Sequence, residues 1–186
     1  MTKLSLKVAI QGDRASFHEI AAHRYYQEPV ELLYCQTFEE TFALLHSGDA
    51  DRAFVAVSNT AHGTITEVAK LINVHPVKTE GTHDLPIEQH LIGTSSANLG
   101  TIQRVVSHPV ALSQCSIYLS ETLAHSQKTE YHDTSAAVEY IKTLNSPGVA
   151  AIGSEAAATL HGMRIIKRAI QDDPNNVTTF QSFVRQ

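Results

Sequence analysis

IQDDPNNVTTF, residues 170–180, is the stretch on which the reading of this chain turns. Its tip carries Asp172, Asp173, Asn175 and Asn176, whose side chains bond their own backbone, and Pro174 restricts the residue before it. The tip is therefore a shaped turn. Val177-Thr178-Thr179-Phe180 is β-branched and aromatic, so the turn delivers a strand. Side chains alternate across a strand, which sends Thr178 and Thr179 to opposite faces. By themselves these residues fit a plain surface turn before a C-terminal edge strand as well as they fit a site.

The rest of the chain supplies the context. Residues 6–10 read as a short buried strand broken by Gln11-Gly12-Asp13-Arg14-Ala15-Ser16, and residues 17–26 have helical spacing. Residues 30–35 form a second strand, and 37–46 a helix with a capping-box pattern from Thr37 to Glu40 and a stop near Gly48. Residues 53–57 are a third strand. Such alternation indicates a parallel sheet covered on both sides. Ser58-Asn59-Thr60-Ala61-His62-Gly63-Thr64 follows, beyond the carboxyl end of a strand, where open α/β sheets bind ligands. The same residues also fit helix capping, by Ser58 or Asn59 or by Thr64 with Glu67.

Further on, residues 82–86 read as a polar crossing segment and 102–106 as a strand delivering Ser107-His108-Pro109, with a helix over 111–123. Pro109 suits a first helical turn, and His108 suits capping at least as well as proton transfer. Asp133 caps a helix over 136–144, 149–152 is a strand, and 154–161 is a helix ended by Gly162.

A chain of 186 residues with 42% apolar and 18% charged content can bury a substantial core in one domain or two lobes. A formal charge of −5 gives no broad basic field and argues against nucleic acid, so an anionic substrate needs a local cluster of donors. MTKLSLKVAI is too short an apolar run for a signal peptide, and no later run is long enough for a membrane span, which predicts a cytoplasmic protein. Cys35 and Cys115 read as buried free thiols. The 11 histidines show no zinc-ligand spacing, so no metal is expected.

The motifs, in order, resemble those of the prephenate dehydratase catalytic-domain family. Gln11-Gly12-Asp13-Arg14-Ala15-Ser16-Phe17-His18-Glu19 is similar to the family's Gln-Gly-x-x-Gly-Ala-Tyr-Ser-Glu, with Ala15 at its second glycine and His18 at its serine. Asn59, Thr60 and Gly63 resemble its Pro-x-Glu-Asn-Ser-x-x-Gly, with Ala56 at the proline and Ser58 at the glutamate. Ser107, His108, Pro109, Ala111, Leu112, Gln114 and Cys115 match every specified position of Ser-His-Pro-x-Ala-Leu-x-Gln-Cys. Gln89 stands where the family has a histidine. Asn176-Val177-Thr178-Thr179-Phe180 resembles Asn-x-Thr-Arg-Phe, with Thr179 in place of the arginine.

The resemblance implies an α/β fold of two lobes with mostly parallel sheets, similar to periplasmic binding proteins, with a cleft between them. The lobes would be residues 1–80 plus 168–186, and residues 81–167. It implies decarboxylative loss of water from prephenate to give phenylpyruvate, in phenylalanine biosynthesis. Departing carbon dioxide supplies the electron pair that makes the ring aromatic, so no cofactor is called for. Thr178 would hydrogen-bond the leaving hydroxyl, with Asn59 and Thr60 orienting the ring or a carboxylate. Gln11, Arg14, Ser16, Gly63, Ser107, His108, Thr179 and Phe180 would line the small dicarboxylate, Arg14 partly replacing the charge absent at Thr179. The chain ends at Gln186, without the regulatory domain of many relatives, so phenylalanine control through that domain is not expected. No membrane partner is expected, and a homodimer is admitted. Two other readings stay open: a related decarboxylase of a prephenate-like compound, and a non-catalytic sensor of small anions.

Overall fold

The computed structural model describes residues 5–186; residues 1–4, which open both MTKLSLKVAI and the first expected lobe, lie outside the described residues. In chain order the elements are β1 (Leu6–Gln11), α1 (Phe17–Tyr25), β2 (Val30–Cys35), α2 (Phe38–Ser47), β3 (Arg52–Asn59), β4 (Gly63–Thr64), α3 (Thr66–Val74) and β5 (Val77–Pro86). There follow β6 (His90–Gly93), β7 (Arg104–Ser107), α4 (Pro109–Gln114), α5 (Ser116–Thr122), β8 (Gln127–Glu130), α6 (Thr134–Leu144), β9 (Val149–Gly153), α7 (Glu155–His161), β10 (Arg164–Lys167) and β11 (Val177–Arg185).

The chain divides into two compact units, Met1–Pro86 with Val177–Gln186, and Ile87–Asn176. The first unit extends past residue 80 because residues 82–86, expected to be a polar crossing, continue β5 as a strand paired with β11.

In the first unit the strand order is β2-β1-β3-β11-β5, with β4 beside β3. The pairs β1·β2 and β1·β3 are parallel, as strand-helix alternation requires, whereas β3·β11 and β11·β5 are antiparallel. The sheet is therefore mixed rather than mostly parallel. The returning C-terminal segment carries no crossover helix and enters against β3 in the opposite sense. Nor is β11 an edge strand: it lies between β3 and β5, and the polar β5 takes the edge. Charged residues, as in its Lys78, Glu80 and Asp84, are a usual means of blunting an exposed edge.

Phe183 of β11 joins Phe42, Leu45, Val55, Val68 and Leu71 in a core on one face. Phe180, an odd number of residues away, faces the other side and stacks on Phe54 at 5.6 Å and 6°. Helix α2 is capped as its sequence predicts, Thr37 Oγ1 accepting the Glu40 N–H at 3.1 Å, and it ends at Gly48 with φ 91°. Helix α3 is not. Thr64 is drawn into β4 opposite Ser58, so the helix begins after Ile65 with no side-chain cap.

In the second unit the order is β10-β6-β9-β7-β8. Again the sheet is mixed: β7 runs parallel to β8 and β9, and β6 antiparallel to β9 and β10. Leu91, Ile102, Val105, Leu119, Leu123 and Ile152 are among its core residues. The helix expected over 111–123 is two, broken at Cys115. Cys115 offers no cap to α5, and Asp172 supplies one from the 170–180 stretch, accepting from the Ile117 N–H at 3.0 Å and the Ser116 hydroxyl at 2.7 Å. Both cysteines are free and buried. Among the described residues no helix is long and apolar enough to cross a membrane, and no group of His, Cys, Asp or Glu is arranged to hold a metal.

Candidate active site

The parallel strands β1 and β3 end at Gln11 and Asn59, and the antiparallel β11 begins at the same edge. Thr178 pairs with Asn59 in the ladder, and their side chains meet: Asn59 Nδ2 donates to Thr178 Oγ1 at 2.9 Å and to the Val177 carbonyl at 3.2 Å. Asn59 Oδ1 accepts the Ala61 N–H at 2.9 Å, turning the chain after β3. Thr60 completes the clamp. Its N–H donates to the Val177 carbonyl at 2.9 Å, and its Oγ1 accepts the Val177 N–H at 2.9 Å. The amide of Asn59 thus occupies a lone pair of Thr178 Oγ1 and leaves the hydroxyl proton of Thr178 available to a ligand.

Thr179 points to the opposite face, where its hydroxyl donates to Asp84 Oδ1 at 2.7 Å across the β11·β5 pair. Where the family pattern has a cation, this chain therefore holds a hydroxyl engaged with a carboxylate. Reading the motif residue by residue missed Asp84, because its partner lies some ninety positions away in sequence. Phe180 is 1% exposed and belongs to the packing behind Thr178, so it supports the site and does not line it.

The loop after β1 is built locally. Ser16, 2% exposed, caps α1 by accepting the Glu19 N–H at 3.3 Å, which accounts for its hydroxyl without a substrate. The Glu19 carboxylate takes the Ala15 N–H and, at 2.5 Å, the Tyr34 hydroxyl. Arg14 is exposed in the same loop, and Gln11 closes β1 opposite Cys35. Ala15 adopts φ 62°, the left-handed region where the family pattern has glycine. Ala15→Gly is accordingly expected to raise stability by about 0.5–1 kcal/mol, the relief of left-handed strain less the added chain entropy. A urea midpoint unchanged or lowered would contradict this. Gly63 shows the same backbone requirement, with φ 74°, and a Cβ there would meet only open space.

Nothing in the sequence around His18 signals its role. It lies between Phe38 and Phe180, and its Nε2 accepts the Ala56 N–H at 3.2 Å. Ile10 is the last residue of β1 paired with β3, opposite Phe54, so the Ala56 N–H lies past the β1 ladder and the imidazole takes it. Burial pushes the His18 pKa down from 6.5 to about 3. The unfolded chain thus binds a proton at His18 below pH 6.5, and the folded chain does so only near pH 3. The contribution is complete above pH 6.5 and is lost as pH falls through that window, at up to about 1.4 kcal/mol per pH unit. Urea unfolding between pH 7 and 4 is expected to show a steeper loss for wild type than for His18→Gln; parallel slopes would contradict it.

Ser107 and His108 belong to the second unit. Ser107 is fully buried and its hydroxyl donates to the Ile152 carbonyl at 2.7 Å, so it ties β7 to β9 and does not reach a ligand. His108 caps α4, its Nδ1 accepting the Val110 N–H at 3.3 Å, and burial lowers its pKa. In the same unit Gln89 Nε2 donates to Gln114 Oε1 at 3.3 Å, a buried amide pair that joins two motif positions.

Comparison with known proteins defines the class first. The chain superimposes on a nutrient-binding protein from Burkholderia cenocepacia with a TM-score of 0.52 at 12% identity, over 97% of this chain and 84% of that one. Prephenate dehydratase from Arthrobacter aurescens gives a TM-score of 0.87 at 22% identity, over 97% of this chain and 61% of that one. Both likenesses concern the fold. The family follows from sequence: residues 8–186 match the prephenate dehydratase family model, and the chain belongs to that family. It is 34% identical to the bifunctional chorismate mutase/prephenate dehydratase of Escherichia coli K12, over 98% of this chain and 48% of the relative. It is also 34% identical to arogenate dehydratase 1 of Petunia hybrida, over 98% of this chain and 43% of the relative. The chain therefore spans less than half the length of these relatives.

Proposed function

We propose that the chain is a dehydratase of prephenate. The observation that carries this reading is the Thr178 hydroxyl, fixed by Asn59 with its proton still available. In the reaction the bond between the ring and its carboxylate breaks, releasing carbon dioxide. Its electron pair makes the ring aromatic, and the ring hydroxyl leaves with the carbon–oxygen pair and, with a proton from solvent, becomes water. Thr178 O–H hydrogen-bonds that hydroxyl as negative charge develops on it, while Asn59 and Thr60 hold the strand start in place. Arg14, exposed at the same strand-end edge, is the proposed carboxylate partner. The test is direct: purified protein with prephenate, phenylpyruvate followed by ultraviolet absorption and binding by calorimetry. Neither binding nor product would end this reading.

The name of the Petunia relative supports a second substrate, arogenate, the amino counterpart of prephenate. Phenylalanine formed from arogenate, without phenylpyruvate from prephenate, would select it. Restoring the motif cation is expected to help only conditionally. An arginine at position 179 would meet the Asp84 carboxylate, now 2.7 Å from the Thr179 hydroxyl, and be drawn into a cross-strand ion pair. Thr179→Arg alone should change turnover by roughly 3-fold or less, and Thr179→Arg with Asp84→Thr by about 10-fold or more. Equal rates for the two would count against capture by Asp84.

A further inference from the structure

His18 and Ala56 depart from the family pattern together, and the structure joins them. The Nε2 of His18 accepts the Ala56 N–H at 3.2 Å. A backbone amide can only donate, so Nε2 presents its lone pair, and in neutral imidazole the proton sits on Nδ1. A proline at position 56, as in the pattern, would have no N–H to fix that tautomer. The ring is held edge-on to Phe180, at 5.1 Å and 90°, and against Phe38 at 5.8 Å. Nδ1 makes no hydrogen bond to a described residue, and the residue is not fully closed off from solvent. Phe180 lies two positions beyond Thr178 in β11, so both project from one face, roughly 7 Å apart along the strand.

We propose that His18 is a fixed-tautomer neutral donor whose Nδ1–H hydrogen-bonds an oxygen of the carboxylate-bearing substrate held against Thr178; this deepens the prephenate reading and rests on it. The low proton affinity of the ring, desolvated on the side it packs against Phe38 and Phe180, keeps the donor uncharged across neutral pH. It therefore offers direction without the salt-dependent pull of a cation. The contact is absent from the motif comparison because the pattern has serine at position 18, and what equips His18 for it is the backbone N–H released at position 56.

Two amide substitutions separate donation from packing. Asparagine places its NH2 where Nδ1 was, whereas glutamine places its terminal amide where Nε2 was and can still accept the Ala56 N–H. His18→Gln is expected to unfold near the wild-type temperature yet lose about 10- to 100-fold in kcat/KM for prephenate. His18→Asn is expected to be the less stable variant and to stay within roughly 3-fold of wild-type kcat/KM. Activities that follow the order of stability instead would overturn the proposal. Nitrogen NMR of ring-labelled histidine supplies a readout that does not need turnover. Protonation of His18 at Nδ1, with that resonance moving as prephenate saturates the protein, is expected. Turnover with an unmoved Nδ1 resonance would remove His18 alone; a moved resonance without turnover would remove the dehydratase reading and leave the donor.

Discussion

Thr178→Ala is expected to lower kcat for phenylpyruvate formation by about 100- to 1,000-fold, with KM for prephenate changed far less. The split follows from where the charge appears. Before reaction the ring hydroxyl is neutral, and a hydrogen bond from Thr178 to it contributes little beyond what water offered. As the carbon–oxygen bond breaks, the oxygen takes on negative charge, and the same bond strengthens in a site held by Asn59 and Thr60. Thr178→Ser keeps the hydroxyl and is expected to retain most of the rate, at some cost in rotamer definition. Steady-state kinetics on all three proteins, with circular dichroism to confirm folding, decides the matter. An alanine variant as fast as wild type would remove Thr178 from the chemistry and shift weight to the anion-binding reading.

Phe180→Ala should have the largest effect on stability, a loss of about 3–5 kcal/mol. Phe180 is 1% exposed, stacked on Phe54 and edge-on to His18. Its removal leaves a cavity walled by two aromatic rings that are themselves fixed, Phe54 by Tyr25 at 5.3 Å and His18 by Ala56. Such walls relax little, so the cavity contribution adds to the lost transfer energy. β11 is an inner strand, which makes the site sensitive too: slackening at Phe180 reaches Thr178, two positions earlier in the same strand. Urea unfolding monitored at two wavelengths provides the measurement, and a loss below about 1 kcal/mol would mean that the neighbouring rings collapse into the space.

The 170–180 stretch shows how far a linear reading goes. Its turn and the alternation of Thr178 and Thr179 were legible because both follow from local backbone chemistry. Asp173 accepts the Asn175 N–H at 2.8 Å, and the two threonines contact different partners, Asn59 and Asp84. Capping was also legible where cap and helix are adjacent, as at Thr37 and Asp133. It failed at α3, where Thr64 was claimed by strand pairing, and at α5, where the cap comes from Asp172, 55 residues from the amide it accepts. The residues expected in the site divide along the same line. Asn59, Thr60 and Thr178 come together in the structure, whereas Ser16, Ser107 and Phe180 have hydroxyls or rings already engaged in capping, strand ties or packing.

By itself the sequence determined the α/β class, the positions of most elements and the order of the motifs, since period, capping and turn chemistry act over a few residues. Only the tertiary structure decided that both sheets are mixed, that β11 runs inside the first sheet with β5 at its edge, and that Thr179 answers to Asp84 while His18 answers to Ala56. These outcomes depend on which backbone groups a neighbouring strand leaves unpaired and on side chains meeting across long sequence separations. A one-dimensional pattern carries neither quantity.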